Sequence, residues 1–276
     1  MNALAYIHWT VNPEIITEPF PLRWYGLLFA GGFIVGFYIM QGFFKREDVP
    51  KIWLDSLLMY IIIGTIAGAR IGHCVFYDWA YFKDHILEIF LPFRFSPEFE
   101  FTGFQGLASH GAAIGIIFSL WLWSRRISKK SIFWILDRVV IVVALAGVFI
   151  RTGNLMNHEI VGLPGNVPWA FIFYGHPNFF DPDMVPRHPA QIYEALGYLL
   201  IFGLLFKLYH LGWDKRLGGI FGLFLSLLFG LRFLVEFVKE NQVAFEDALA
   251  LNMGQILSIP FVFAGLYFVW KSKKVT

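Results

Sequence analysis

Seven apolar stretches alternate with short polar connections along the chain: about Leu22–Phe44, Ile52–Phe76, Gly106–Trp123, Ser131–Ile150, Ala190–Leu208, Leu217–Val238 and Gly254–Trp270. Most reach the roughly 20 residues that cross a ~30 Å hydrocarbon core, and the third and seventh lie near the lower limit. Helices are the expected form, because backbone polar groups in lipid must be paired within their own segment. The pattern predicts an all-α integral membrane protein, a seven-transmembrane-helix bundle that forms a single membrane-embedded domain over residues 1–276. Outside the spans lie an N-terminal interfacial arm at 1–21 and two longer loops at 77–105 and 151–189, which would build a loop or head region on one side.

Composition agrees with a membrane protein: 57% of the residues are hydrophobic, 19% aromatic and 15% charged. A soluble domain typically carries about 25% charged residues. The cations are distributed unevenly. One set of connections holds Lys45, Arg46, Lys51, Arg125, Arg126, Lys129, Lys130, Lys207, Lys215 and Arg216, and the tail adds Lys271, Lys273 and Lys274. The other set is longer but holds only Lys83, Arg94, Arg151, Arg187 and Lys239. Short basic connections face the cytoplasm, so the N-terminus is expected outside and the C-terminus inside. The first 21 residues contain no Lys or Arg, so a cleaved leader is not expected. A net charge of +2 spent on topology gives no reason to expect nucleic acid as a partner, and the lone Cys74 cannot form an internal disulfide. No matched pair of broken spans suggests a transporter's inverted repeat.

Ionisable groups inside a membrane are costly, so their depth is informative. Arg23 and Tyr25 open the first span. Arg70 lies about 27 Å along the second and Arg232 about 22 Å along the sixth, at 1.5 Å per residue. His110 sits in the first turns of the third span. The fourth ends at Arg151, Asn154, Asn157 and Glu159, and the fifth begins with Arg187, His188, Gln191, Tyr193 and Glu194. Six spans thus place polar groups in the outer half, a pattern that fits a cup open at the outer face rather than a conduction path. Each residue also has a plainer reading. Arg232 and Glu236 stand at i, i+4 and can pair on one helix face; Arg70 can snorkel; Asn154 and Asn157 can cap the fourth helix. Arg70, Arg151 and Arg232 at one depth on separate spans are harder to explain that way. Together they favour an anion, and the abundant anion at that depth is a lipid phosphodiester. Other motifs fail. GLASHG at Gly106–Gly111 is not a nucleophile elbow, and no histidine pair has a zinc spacing. Gly31, Gly32, Gly36, Gly64 and Gly68 fit close helix packing.

The stretch Arg151–Gly162, RTGNLMNHEIVG, resembles the signature of the prolipoprotein diacylglyceryl transferases, G-R-x-G-N-F-x-N-x-E-x-x-G. Arg151, Gly153, Asn154, Asn157, Glu159 and Gly162 match; Ile150 and Leu155 replace a Gly and a Phe. SHGAAIG resembles the family's H-G-G stretch, with Ala112 in place of the second Gly. RWYGL, GARIG, RHPAQIYE and GLRFLVEF resemble four further blocks in the expected order, so the likeness covers nearly the whole chain. It implies a seven-helix enzyme of the bacterial inner membrane. Such an enzyme moves the sn-1,2-diacylglyceryl group of phosphatidylglycerol onto a lipobox cysteine in a prolipoprotein signal peptide, leaving a thioether and glycerol phosphate. It implies no metal and no organic cofactor.

That chemistry assigns roles to residues. The phosphodiester carries one negative charge and the departing monoester gains a second, so cations around it favour the transition state. Arg151 and Arg232 are the expected phosphate ligands, since an arginine fork binds two oxygens and stays charged. Asn154, Asn157 and Glu159 are placed to hold Arg151 or the headgroup hydroxyls, Arg70 to add a third cation, and Glu236 to orient Arg232. A thiol of pKa about 8.5 needs help to ionise. His110 is the candidate base, or else a headgroup ligand, and Tyr25 either donates to phosphate or supports His110. The competing functions are a small-anion transporter and a non-enzymatic lipid-binding bundle.

Overall fold

The computed structural model describes residues 6–18, 22–91, 93–95, 98–101, 106, 108–174, 185–240 and 250–272. Among these, six helices are long and apolar enough to cross a membrane: α1 (Trp24–Arg46), α2 (Lys51–Phe76), α6 (Ile132–Met156), α7 (Ala190–His210), α8 (Gly219–Val235, extended by a 3-10 turn to Val238) and α9 (Met253–Lys271). The protein is therefore a multi-pass, mostly helical membrane protein. The third expected span corresponds to α5 (Ser109–Trp123), whose 15 residues continue as a π-turn over Ser124–Ser128. The fourth differs most from expectation. Its helix does not stop at Ile150 but runs on to Met156, so Arg151 and Asn154 are helical residues.

The chain divides into two compact units, one formed by 41–135 and the other by 1–40 with 136–276. In the first, α2 and α5 meet backbone to backbone. Gly64, Gly68 and Gly72 face Gly111, Gly115 and Ser119, and a Cβ on Gly72 would come within 2.6 Å of the Gly111 Cα. Without a hydrophobic driving force between helices in lipid, such close approach supplies the packing. Trp123 closes one end, donating to the Ser56 hydroxyl at 2.9 Å and stacking on Trp134. Beyond α2 lies an arm of two short helices, α3 (Trp79–Phe82) and α4 (Leu87–Phe90), and a hairpin, β4 (Phe93–Arg94) with β5 (Glu100–Phe101). Buried Glu88 organises this arm, accepting from the Tyr81 hydroxyl at 2.7 Å and from the Phe95 amide at 2.8 Å.

In the second unit α6 is the most deeply buried of the six long helices. Gly31 and Gly32 of α1 accommodate Phe149, and Gly36 accommodates Val142. At the start of α6, Asp137 is fully buried and accepts the amides of Gly218 (2.7 Å) and Phe221 (2.8 Å), satisfying donors that open α8. At its far end the N-terminal arm folds back as short strands. β1 (Ile7–Trp9) pairs in parallel with β6 (Phe171–Phe173), and β2 (Glu14–Ile16) pairs with β3 (Leu22–Arg23). The Trp9 indole donates to the Leu155 carbonyl at 3.0 Å, and the His158 ring meets the Val11 carbonyl at 2.8 Å. These bonds tie the arm to the last turn of α6.

Candidate active site

The polar end of α6 is set by how that helix stops. The Glu159 amide bonds the Asn154 carbonyl at 2.9 Å and the His158 amide bonds the Leu155 carbonyl at 3.1 Å, a Schellman arrangement. His158 takes the left-handed position usually given to glycine, with φ 55°, and Ile160 follows at φ 57°. A β-branched residue in that region is strained by about 1–3 kcal/mol, which the surrounding contacts must hold in place. The result is that Glu159 folds back over the helix end. Its carboxylate accepts from Asn154 at 3.0 Å and from Asn157 at 3.1 Å, while Asn154 Oδ1 accepts from Arg151 at 3.1 Å. Asn154 therefore links Arg151 to Glu159, and Asn157 holds the other oxygen of the same carboxylate.

Helix α7 supplies the opposite wall. Arg151 Nε lies 2.7 Å from Glu194 Oε2, and Glu194 is buried. Gln191 donates to the Glu159 carbonyl, one turn before Glu194 on the same helix. The Tyr198 hydroxyl reaches Arg151, and Tyr198 is within electrostatic range of Arg232 as well. Arg151 is likewise in range of Glu236. Tyr25 joins from α1 by packing on Gly153, where a Cβ would fall 2.8 Å from its ring, and it senses both Glu159 and Arg151. That glycine is required by close approach, not by backbone conformation.

Arg232 is held more loosely. Its Nε is 3.5 Å from Glu236 Oε1 and makes no hydrogen bond among the described residues, and 40% of the side chain is exposed. Buried acceptors, including Asn157 Oδ1 and Gln191 Oε1, also lack a hydrogen-bond partner among the described residues. Buried polar atoms in native proteins are nearly always satisfied, so this group has capacity for an outside molecule.

Arg151, Asn154, Asn157, Glu159, Arg232, Glu236 and Tyr25 all belong to the unit that contains α6. Arg70 and His110 belong to the other. Arg70 is buried, donates to the carbonyls of Ile89 (3.2 Å) and Glu88 (2.6 Å), and lies 4.8 Å from the Phe82 ring centre. Those contacts make it a brace between α2 and the arm. His110 is exposed in the first turn of α5. Sequence reasoning placed Gln191 and Glu194 at the start of the fifth span but gave them no role, and passed over Tyr198. The usable signal was their spacing: 191, 194 and 198 share one face of α7, and a carboxylate within a span needs a partner.

The family described as prolipoprotein diacylglyceryl transferase matches the chain over residues 13–271. The chain is 42% identical over 274 residues to the phosphatidylglycerol–prolipoprotein diacylglyceryl transferase of Bacteroides fragilis, covering 98% of this chain and 96% of that protein. The protein of the same name from Chloroherpeton thalassium is 39% identical over 276 residues, covering 99% and 97%. That from Porphyromonas gingivalis is 41% identical over 288 residues, covering 99% and 97%.

Proposed function

The chain belongs to the prolipoprotein diacylglyceryl transferase family, and from that premise we propose that it moves the diacylglyceryl group of phosphatidylglycerol to the thiol of a lipobox cysteine in a prolipoprotein. The thiolate attacks the glyceryl carbon, a C–S bond forms as the C–O bond breaks, and glycerol phosphate leaves with the electron pair. The thiol proton passes to a base. No metal or organic cofactor is required for this step.

The observation that supports the reading is the anchoring of Arg151 by Glu194 and Asn154 at the polar end of α6, with Arg232 paired only loosely to Glu236 at 3.5 Å. Two cations beside one phosphate are worth more as its charge rises from one to two, which is the condition for acceleration. In this reading Glu194 and Asn154 fix the Arg151 fork, and Glu159 fixes Asn154. Asn157 Oδ1 accepts from a headgroup hydroxyl, and Tyr25 donates to the phosphate. Arg70 acts through the arm that it braces. His110 is the base for the thiol.

The remaining features follow from that chemistry. α5, continued by its π-turn, is taken as a seventh crossing. The chain is placed in the bacterial inner membrane, with the N-terminus and the strands of its arm outside and the C-terminus in the cytoplasm. The outer side is where an exported signal peptide and the outer-leaflet lipid are both available.

The test is purified protein with phosphatidylglycerol and a lipobox peptide, scored for a diacylglyceryl mass gain and released glycerol phosphate. Both products are expected in equal amounts, and their absence across several detergents would reject transfer. His110→Gln should be slow with a normal thiol and partly recover with a more acidic one. Equal loss with both thiols would move His110 from base to headgroup ligand.

A further inference from the structure

Lys239 follows the 3-10 turn that ends α8. Its ammonium is almost fully buried, at 4% exposure, and lies 3.0 Å from Glu236 Oε1. The same oxygen is 3.5 Å from Arg232 Nε. The other carboxylate oxygen accepts from Asn252 Nδ2 at 3.1 Å, and Asn252 is held by a capping box with Gln255 at the start of α9. One carboxylate is therefore shared by two cations, and the more buried cation has the shorter contact.

Charge balance decides what this arrangement does. A single negative charge cannot neutralise both Lys239 and Arg232. A buried ammonium is costly unless it is paired, so among the described residues Lys239 holds the carboxylate closely and the more exposed Arg232 is left with the weaker, 3.5 Å contact. The signature stretch helps to fix Lys239 in place. Gly162 forms an isolated antiparallel bridge with Lys239, and the Leu163 amide bonds the Val238 carbonyl at 2.9 Å. A Cβ on Gly162 would lie 2.6 Å from that Val238 carbonyl oxygen. A side chain at 162 would thus push the Lys239 backbone away.

We propose that Lys239 is a positioning residue: by occupying Glu236 it keeps Arg232 under-compensated, with its fork free for the donor phosphate. The proposal rests on the reading of Arg232 as a phosphate ligand. Without Lys239, Glu236 closes onto Arg232 and competes with the lipid.

The experiment uses the full-length purified protein with phosphatidylglycerol and a lipobox peptide, and compares kcat and KM. Lys239→Met should lose roughly tenfold or more in kcat/KM, with KM for the lipid raised. Lys239→Gln should behave alike, and it carries the test if the Met variant does not accumulate in the membrane. The decisive variant is Lys239→Met combined with Glu236→Gln. It removes the competing carboxylate as well, and should recover several-fold over Lys239→Met alone. A purely structural role for Lys239 predicts that loss and recovery follow the melting midpoint with KM for the lipid unchanged, and that result would overturn the proposal, as would a double variant no better than the single one or wild-type kinetics for both Lys239→Met and Lys239→Gln. An inactive wild type, or full activity in Arg232→Ala, would instead reject the underlying reading of the site.

Discussion

Helix α6 carries ionisable residues near both of its ends, and the two ends use them differently. At the first, Asp137 is completely buried and both carboxylate oxygens accept backbone amides that open α8. Arg138, next to it, is also buried and lies 5.9 Å from the Tyr209 ring centre. At the second end Arg151 is in an ion pair, yet Arg232 has only a 3.5 Å contact to Glu236, and among the described residues Asn157 Oδ1 and Gln191 Oε1 have no hydrogen-bond partner. The lesson is that depth and charge alone do not identify a site. A buried carboxylate whose acceptors meet backbone donors at 2.7–2.8 Å holds helices together; a cluster with capacity left over has something else to bind.

The comparison can be broken by substitution. Arg151→Ala should cost the most transfer, about 10²–10³-fold in rate, the scale found when one charge-stabilising donor is lost. Its level in the membrane should stay near normal, as checked by immunoblot beside a product assay. Near-normal turnover would place Arg151 with Asp137, among the structural groups. Arg232→Lys keeps the charge but loses the fork, and should cost roughly tenfold or more in kcat/KM. Wild-type kinetics there would show that a point charge suffices. Gly153→Ala should be milder. Its new Cβ meets the Tyr25 ring, at a cost of about 1–3 kcal/mol in packing, and should lower both the melting midpoint and transfer by a few-fold. Asp137→Ala should have the smallest effect on catalysis. It strips two amides of their acceptor, which costs about 1–3 kcal/mol of stability, while transfer per folded molecule stays within about twofold. A large fall in kcat with an unchanged melting midpoint would erase the distinction between the two ends.

Much of this was legible in the sequence, and the reasons for the rest are physical. The apolar runs located every long helix among the described residues, and Gly36, Gly64 and Gly68 sit at close helix contacts, whereas Gly31 and Gly32 leave ordinary room beside Phe149. The end of α6 was misplaced because RTGNLM reads as loop when polar residues are assumed to leave the membrane. Here Glu194, Tyr198 and Glu159 receive those polar groups, so the helix can continue. Arg70 shows the limit of depth as a guide. Its position along α2 says nothing about which groups its guanidinium meets, and those prove to be carbonyls of α4. The strands of the N-terminal arm are two or three residues long, too short for an alternating pattern to register. Lys239 looked like one more loop cation because its partner, Glu236, had already been paired with Arg232 on helical spacing.

The most direct measurement is titration of glycerol phosphate into the purified protein, followed by phosphorus NMR, for wild type, Arg151→Ala and Asp137→Ala. The account predicts that Arg151→Ala weakens binding about tenfold or more, equivalent to roughly 1.4 kcal/mol, while Asp137→Ala binds like wild type. Equal affinity in all three proteins would contradict it.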